Sequence, residues 1–181
     1  LTGTALGAPV FARQSPYPSR VIRIVAGNPP GGTGDLLSPV IAQAISIDLG
    51  QSVIVENRGG GSTTIGGAAV ATAQPDGYTL LCLTSSGVVQ TVLRDNLRYG
   101  LKDFEPIIGI ESYPLALTVS EASRLDSVEA LVAKAQTPEG IIFASGGVGT
   151  VAHLTSNMFL HEISGTGLDV AYGNNPGSLQ A

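Results

Sequence analysis

Three times along this chain a buried-looking apolar run stops at a cluster of Gly, Ser and Thr, and helix-periodic sequence follows. Val21-Ile22-Arg23-Ile24-Val25-Ala26 runs into Gly27-Asn28-Pro29-Pro30-Gly31-Gly32. Tyr78-Thr79-Leu80-Leu81-Cys82-Leu83 runs into Thr84-Ser85-Ser86-Gly87, and Ile141-Ile142-Phe143-Ala144 into the loop 145–150. Short β-branched runs of this kind are strands buried on both faces, and strand, loop and helix repeated at crossover length lead to parallel sheets of the α/β class. From Leu36 the apolar positions Leu36, Leu37, Val40, Ile41, Ala44, Ile45 and Leu49 share one helical face, with Gly50 as the stop and Pro39 in the first turn. Val53-Ile54-Val55 is a further strand, and 65–74 a small-residue helix after the loop 56–62.

The pattern changes near the middle. Residues 106–110 and 115–119 read as consecutive strands without a helix between them, so a lobe boundary is placed near Glu111. Asp126 or Ser127 caps a helix with the face Val128, Leu131, Val132 and Ala135, ended by Thr137-Pro138-Glu139-Gly140. Residues 151–162 form another helix and 168–172 another strand. The organisation expected is a first α/β lobe over 13–110 and a partial second α/β lobe over 111–181. Residues 1–12, LTGTALGAPVFA, resemble the back end of a secretory signal peptide with cleavage after Ala12, which predicts export. No apolar run approaches the ~18 residues of a membrane span.

Composition narrows the chemistry. Fourteen acids against nine bases give a charge of -5 with no Lys/Arg block, which excludes a nucleic-acid backbone as partner. The single cysteine, Cys82, lies within an apolar strand and reads as an inert buried thiol; no Cys/His cluster has metal spacing. The three Gly/Ser/Thr clusters each precede a helix N-terminus, where free N–H groups and the helix dipole favour an anion, and they lie at the carboxyl ends of strands, where open α/β sheets hold ligands. None contains Lys or Arg, so a carboxylate fits better than a triphosphate. His153, in the first turn of its helix, is placed to face the same ligand as Ser145 and Thr150, and Asp35 to cap the first helix or orient its glycine loop.

Three enzyme patterns fit the chain less well. The P-loop pattern from Gly27 to Gly32 has Thr33 where the phosphate-binding lysine belongs, so it fails. No G-x-S-x-G elbow surrounds Ser85, Ser86 or Ser145. The rival with most support is a dinucleotide-dependent enzyme using Gly147, Gly149 and Ala152, with Asp169 as the ribose-binding acid.

Longer segments carry a resemblance. Tyr17-Pro18-Ser19-Arg20-Val21-Ile22-Arg23-Ile24-Val25, Pro29-Pro30-Gly31-Gly32-Thr33-Gly34-Asp35 and Gly50-Gln51-Ser52-Val53-Ile54-Val55-Glu56-Asn57-Arg58 come in order. Gln74-Pro75-Asp76-Gly77-Tyr78, Leu101-Lys102-Asp103-Phe104-Glu105-Pro106 and Phe143-Ala144-Ser145-Gly146-Gly147-Val148-Gly149-Thr150 with His153-Leu154 follow. Together they resemble the periplasmic substrate-binding proteins of tripartite tricarboxylate transporters, the Bug family. The resemblance implies a two-lobed periplasmic binding protein-like α/β fold, here with an incomplete second lobe. It implies a non-enzymatic, cofactor-free, metal-free monomer that closes on a small carboxylate and delivers it to integral-membrane transporter subunits. The matching ligand positions are Gly31, Gly32, Thr33 and Asp35, then Thr84, Ser85 and Ser86, and on the second lobe Ser145, Gly146, Gly149, Thr150 and His153. Two departures stand out. Gly27 and Asn28 replace the family's Pro and aromatic residue, and within 170–178 Ala171, Gly173 and Asn174 depart from its Val-Pro-Tyr-Lys/Arg-Gly stretch. Against the family's length the chain reads as truncated at both ends, with a bare sheet edge as an aggregation hazard.

Overall fold

A computed structural model describes residues 16–28, 30–173 and 177. The expected leader and its cleavage site, Pro29, and residues 174–176 and 178 lie outside the described residues. Strand β1 (Ile22–Ala26) is the centre of a three-stranded parallel sheet, flanked by β2 (Val53–Asn57) and β3 (Thr79–Cys82) in the order β2-β1-β3. Four of its five residues are buried, as expected of a central strand with a neighbour on each side. Helix α1 (Thr33–Leu49) packs on β1 and β2, bringing Ala42, Ile41 and Ile45 against Ile24, Val53, Val55, Leu80 and Cys82. The buried Cys82 thiol belongs to this core. Helix α2 (Thr64–Ala71) packs against β1 and β3, and Gly66 lets it come close: a Cβ there would sit 2.9 Å from the Gly27 Cα.

The second sheet pairs β4 (Ile141–Ser145) with β5 (Gly167–Ala171), again in parallel. Helix α4 (Val128–Ala135) leads into β4, and α5 (Val151–Glu162) crosses between the two strands and packs on both. Ser127 is the cap of α4, its hydroxyl accepting the Ala130 N–H at 3.1 Å. Helix α3 (Ser85–Leu93) follows β3 and touches α5, so the two sheets meet through helices that begin at their carboxyl edges.

Two expectations are corrected. Helix α1 begins at Thr33, three residues before Leu36, so Pro39 falls in the second turn and removes the bond to the Asp35 carbonyl. Residues 106–110 and 115–119 form no strands: the chain runs without regular structure from Phe104 to Ser120, between two single 3-10 turns, Leu101–Asp103 and Glu121–Ser123. A strand exists only as one member of a ladder. These segments have no ladder partner among the described residues, and Ile107 and Ile108 stand 76% and 79% exposed.

Candidate functional site

The site is built by register. Ala26 at the end of β1 lies level with Asn57 on β2 and Cys82 on β3, so the loops that follow these three strands gather at one edge. Ser145 and Ala171 end the second sheet in the same way. The two edges touch directly. Ser62 Oγ donates to the Val148 carbonyl at 3.0 Å, Gln90 Nε2 donates to the Gly149 carbonyl at 2.8 Å, and the Val151 N–H reaches Ser86 Oγ at 3.4 Å.

On the first sheet, Gly32 is the N-cap of α1 and offers no side-chain cap. Asp35, at the third helical position, does not cap either: one carboxylate oxygen accepts the Gly31 N–H at 2.8 Å and the other accepts from the Asn57 side-chain amide. The Gly31 N–H, and after it the Asn57 amide, hold the Asp35 carboxyl below the usual aspartate range. Asp35 therefore braces the 30–32 loop from inside, the second of the two roles expected for it. Thr84 is the N-cap of α3, and its hydroxyl oxygen is buried without a partner among the described residues, as are Asn28 Oδ1 and Thr63 Oγ1. Buried polar atoms are ordinarily paired. Three unpaired ones on three neighbouring strand-end loops mark a place suited to a polar ligand.

On the second sheet, Ser145 is fully buried and its Oγ accepts the Gly147 N–H at 3.1 Å. Thr150 is the N-cap of α5: its hydroxyl donates to the Gly147 carbonyl at 2.7 Å and receives the His153 N–H at 3.4 Å. The His153 ring turns toward its own loop and β5, with Nδ1 accepting the Gly149 N–H at 3.4 Å and Nε2 lying 3.9 Å from Asp169 Oδ2. Asp169 sits at the middle of β5, opposite Phe143, whereas a ribose-binding acid stands at a strand's carboxyl end. The dinucleotide alternative loses its acid on that geometry.

Several residues at this junction were missed in the sequence. Residues 60–63 all have positive φ, including the non-glycines Ser62 (56°) and Thr63 (77°). A β-branched residue in that region is strained, and such strain collects at functional sites. Gly59-Gly60-Gly61-Ser62-Thr63 repeats the Gly/Ser/Thr signature of the other strand ends, so the signal was present at a fourth site. Gln90 is 1% exposed, and its Oε1 accepts from Arg94 Nε at 2.6 Å, which orients the amide toward Gly149. Its only signal was a polar residue on a helix with Val88, Val89, Val92 and Leu93. A groove of about 460 Å³ over α1 and β2 is lined by Pro39, Ala42, Gln43, Ser46, Ile47, Val53 and Val55; with no charged side chain in it, it offers a carboxylate nothing.

Among the described residues, no hydroxyl or thiol is hydrogen-bonded to the His153 ring, whose neighbours are the Gly149 N–H and Asp169. The edges offer neutral donors: hydroxyls, loop N–H groups and the positive ends of α1, α3 and α5. That set solvates an anion of low charge density without a cationic side chain.

Residues 38–181 match the family described as the tripartite tricarboxylate transporter family receptor, TctC. BugT of Bordetella pertussis is 37% identical over 158 residues, covering 85% of this chain and 48% of BugT. A UPF0065 protein of Bordetella bronchiseptica is 37% identical over 175 residues, 95% of this chain and 51% of its own. Among solved structures, the R. palustris protein Rpa4515 with adipate superposes with a TM-score of 0.80 at 28% identity, over 91% of this chain and 56% of that one. The periplasmic binding protein BugD does so with a TM-score of 0.68 at 27% identity and the same coverage. The chain spans about half the length of the curated relatives it matches.

Proposed function

The chain belongs to the tripartite tricarboxylate transporter receptor family, and from that membership we propose that it captures a small carboxylate between the strand-end loops of its two sheets. It then serves as an exported periplasmic receptor, without catalysis, cofactor or metal, and delivers the ligand to integral-membrane transporter subunits. The observation that carries this reading is the direct meeting of two Gly/Ser/Thr edges at Ser62–Val148, Gln90–Gly149 and Ser86–Val151, each a hydrogen bond between neutral groups. Adipate in the related Rpa4515 adds a dicarboxylate of the expected size. No helix among the described residues is long and apolar enough to cross a membrane.

In this mechanism Gly31, Gly32 and Thr33 on one loop and Thr84, Ser85 and Ser86 on the next hold one side of the ligand. Ser145, Gly146 and Thr150 close from the other sheet, with Asp35, Gly149 and His153 shaping the two loops. A ligand that bridges both edges stabilises their approach by its differential affinity for the closed state. The domains 13–110 and 111–181 are then the two jaws. A thermal-shift panel of mono-, di- and tricarboxylates, aromatic acids and NAD tests the reading. A carboxylate at 100 times its Kd adds about 2.7 kcal/mol, or roughly 5–11 °C of midpoint at this size, and the shift disappears in Thr33→Ala. A shift with NAD alone would overturn it.

A further inference from the structure

Asp169 is the one half-buried position of β5; the other four residues of the strand are exposed. Its side chain lies on the face that α5 covers, since Oδ2 is 3.9 Å from His153 Nε2 in the first turn of that helix. Oδ1 is buried with no hydrogen-bond partner among the described residues. The Asp169 side chain is 14% exposed and that of His153 20%. A carboxylate so placed, with one oxygen unpaired, calls for a reason. The other ring nitrogen supplies one. His153 Nδ1 accepts the Gly149 N–H, and an imidazole nitrogen that accepts carries no proton, so the neutral ring bears its proton on Nε2, the side facing Asp169.

We propose that Asp169 and His153 act as a pair that sets the geometry of the 145–150 loop: the carboxylate selects the Nε2–H tautomer, which leaves Nδ1 to hold the Gly149 N–H. His153 is then a positioning residue that works through Gly149, and the Gly149 N–H is withdrawn from the donors offered to a ligand. Gly149 is fixed on its other side as well, because Gln90 Nε2 holds its carbonyl. The functional weight of the inference rests on the carboxylate-receptor reading, while the tautomer and the loop geometry stand without it.

The test is nitrogen-15 NMR of the full 181-residue chain without ligand, at about pH 8. The pair predicts a single Nε2–H tautomer for His153 and a slowly exchanging Gly149 amide. Asp169→Asn keeps the shape and removes the charge; it mixes the tautomers and speeds Gly149 exchange several-fold. His153→Asn keeps an acceptor near the place of Nδ1, so Gly149 stays protected and adding Asp169→Asn changes nothing further. An Nδ1–H or evenly mixed tautomer in the unsubstituted chain overturns the proposal, whatever the variants do. So does an Asp169→Asn chain whose tautomer and exchange match the parent. Binding of adipate and the other carboxylates of the panel, measured on the same samples, is a separate readout: the absence of any binding beside an intact Nε2–H tautomer contradicts the receptor reading and leaves the pair standing.

Discussion

Both oxygens of Asp35 are engaged within the chain, by the Gly31 N–H and by Asn57, and those bonds hold its carboxyl below the ordinary aspartate value. A carboxylate with a lowered folded pKa stabilises the native state above its unfolded value, and loses that contribution as pH falls through the folded one. Asp35→Asn therefore unfolds at a lower denaturant midpoint than the parent at neutral pH, and the gap closes as the solution is acidified past the ordinary aspartate range. A gap that is the same at both pH values contradicts the brace. Gly149 is the second residue whose identity matters. Its φ is +77° and a Cβ would collide with the Gln90 amide, so Gly149→Ala costs about 1–3 kcal/mol in urea unfolding and weakens ligand binding. The sequence offered the brace as one of two roles for Asp35, because the spacing 31 to 35 admits both a cap and a brace; the contact at Gly149 was not legible, because Gln90 meets it across 59 positions.

At the scale of elements, the sequence read well wherever local periodicity and punctuation decide the structure. Helix α4 is the clearest case, with Ser127 as its cap and Leu131 and Ala135 as its buried face; Ser127→Ala is expected to lower stability by about 1 kcal/mol in urea melts. The strands β1 to β5 were legible for the same reason. Residues 106–119 were not, because their β-branched composition meets strand preference but a ladder needs a partner from elsewhere in the sequence. Ile107 and Ile108 lie open instead. Replacing both by lysine changes the unfolding free energy by no more than about 0.5 kcal/mol and raises the concentration at which light scattering reports aggregation. A loss of several kcal/mol would mean that these side chains pack against something in the folded chain.

For the whole molecule, the central claim is that two parallel sheets present their carboxyl edges to each other and that one small carboxylate bridges them. The class of fold followed from strand, loop and helix repeated in the sequence, and the meeting of the edges followed only from Ser62, Ser86 and Gln90, whose partners lie in the loop after β4 and at the start of α5. A ligand held this way perturbs both edges with one dissociation constant. The most direct measurement is an adipate titration followed by backbone amide NMR. The account predicts that Gly31, Gly32 and Ser85 on one edge and Gly146 and Thr150 on the other shift together, along one binding curve. Shifts confined to a single edge, or amides that ignore adipate and every carboxylate of the panel, would contradict it.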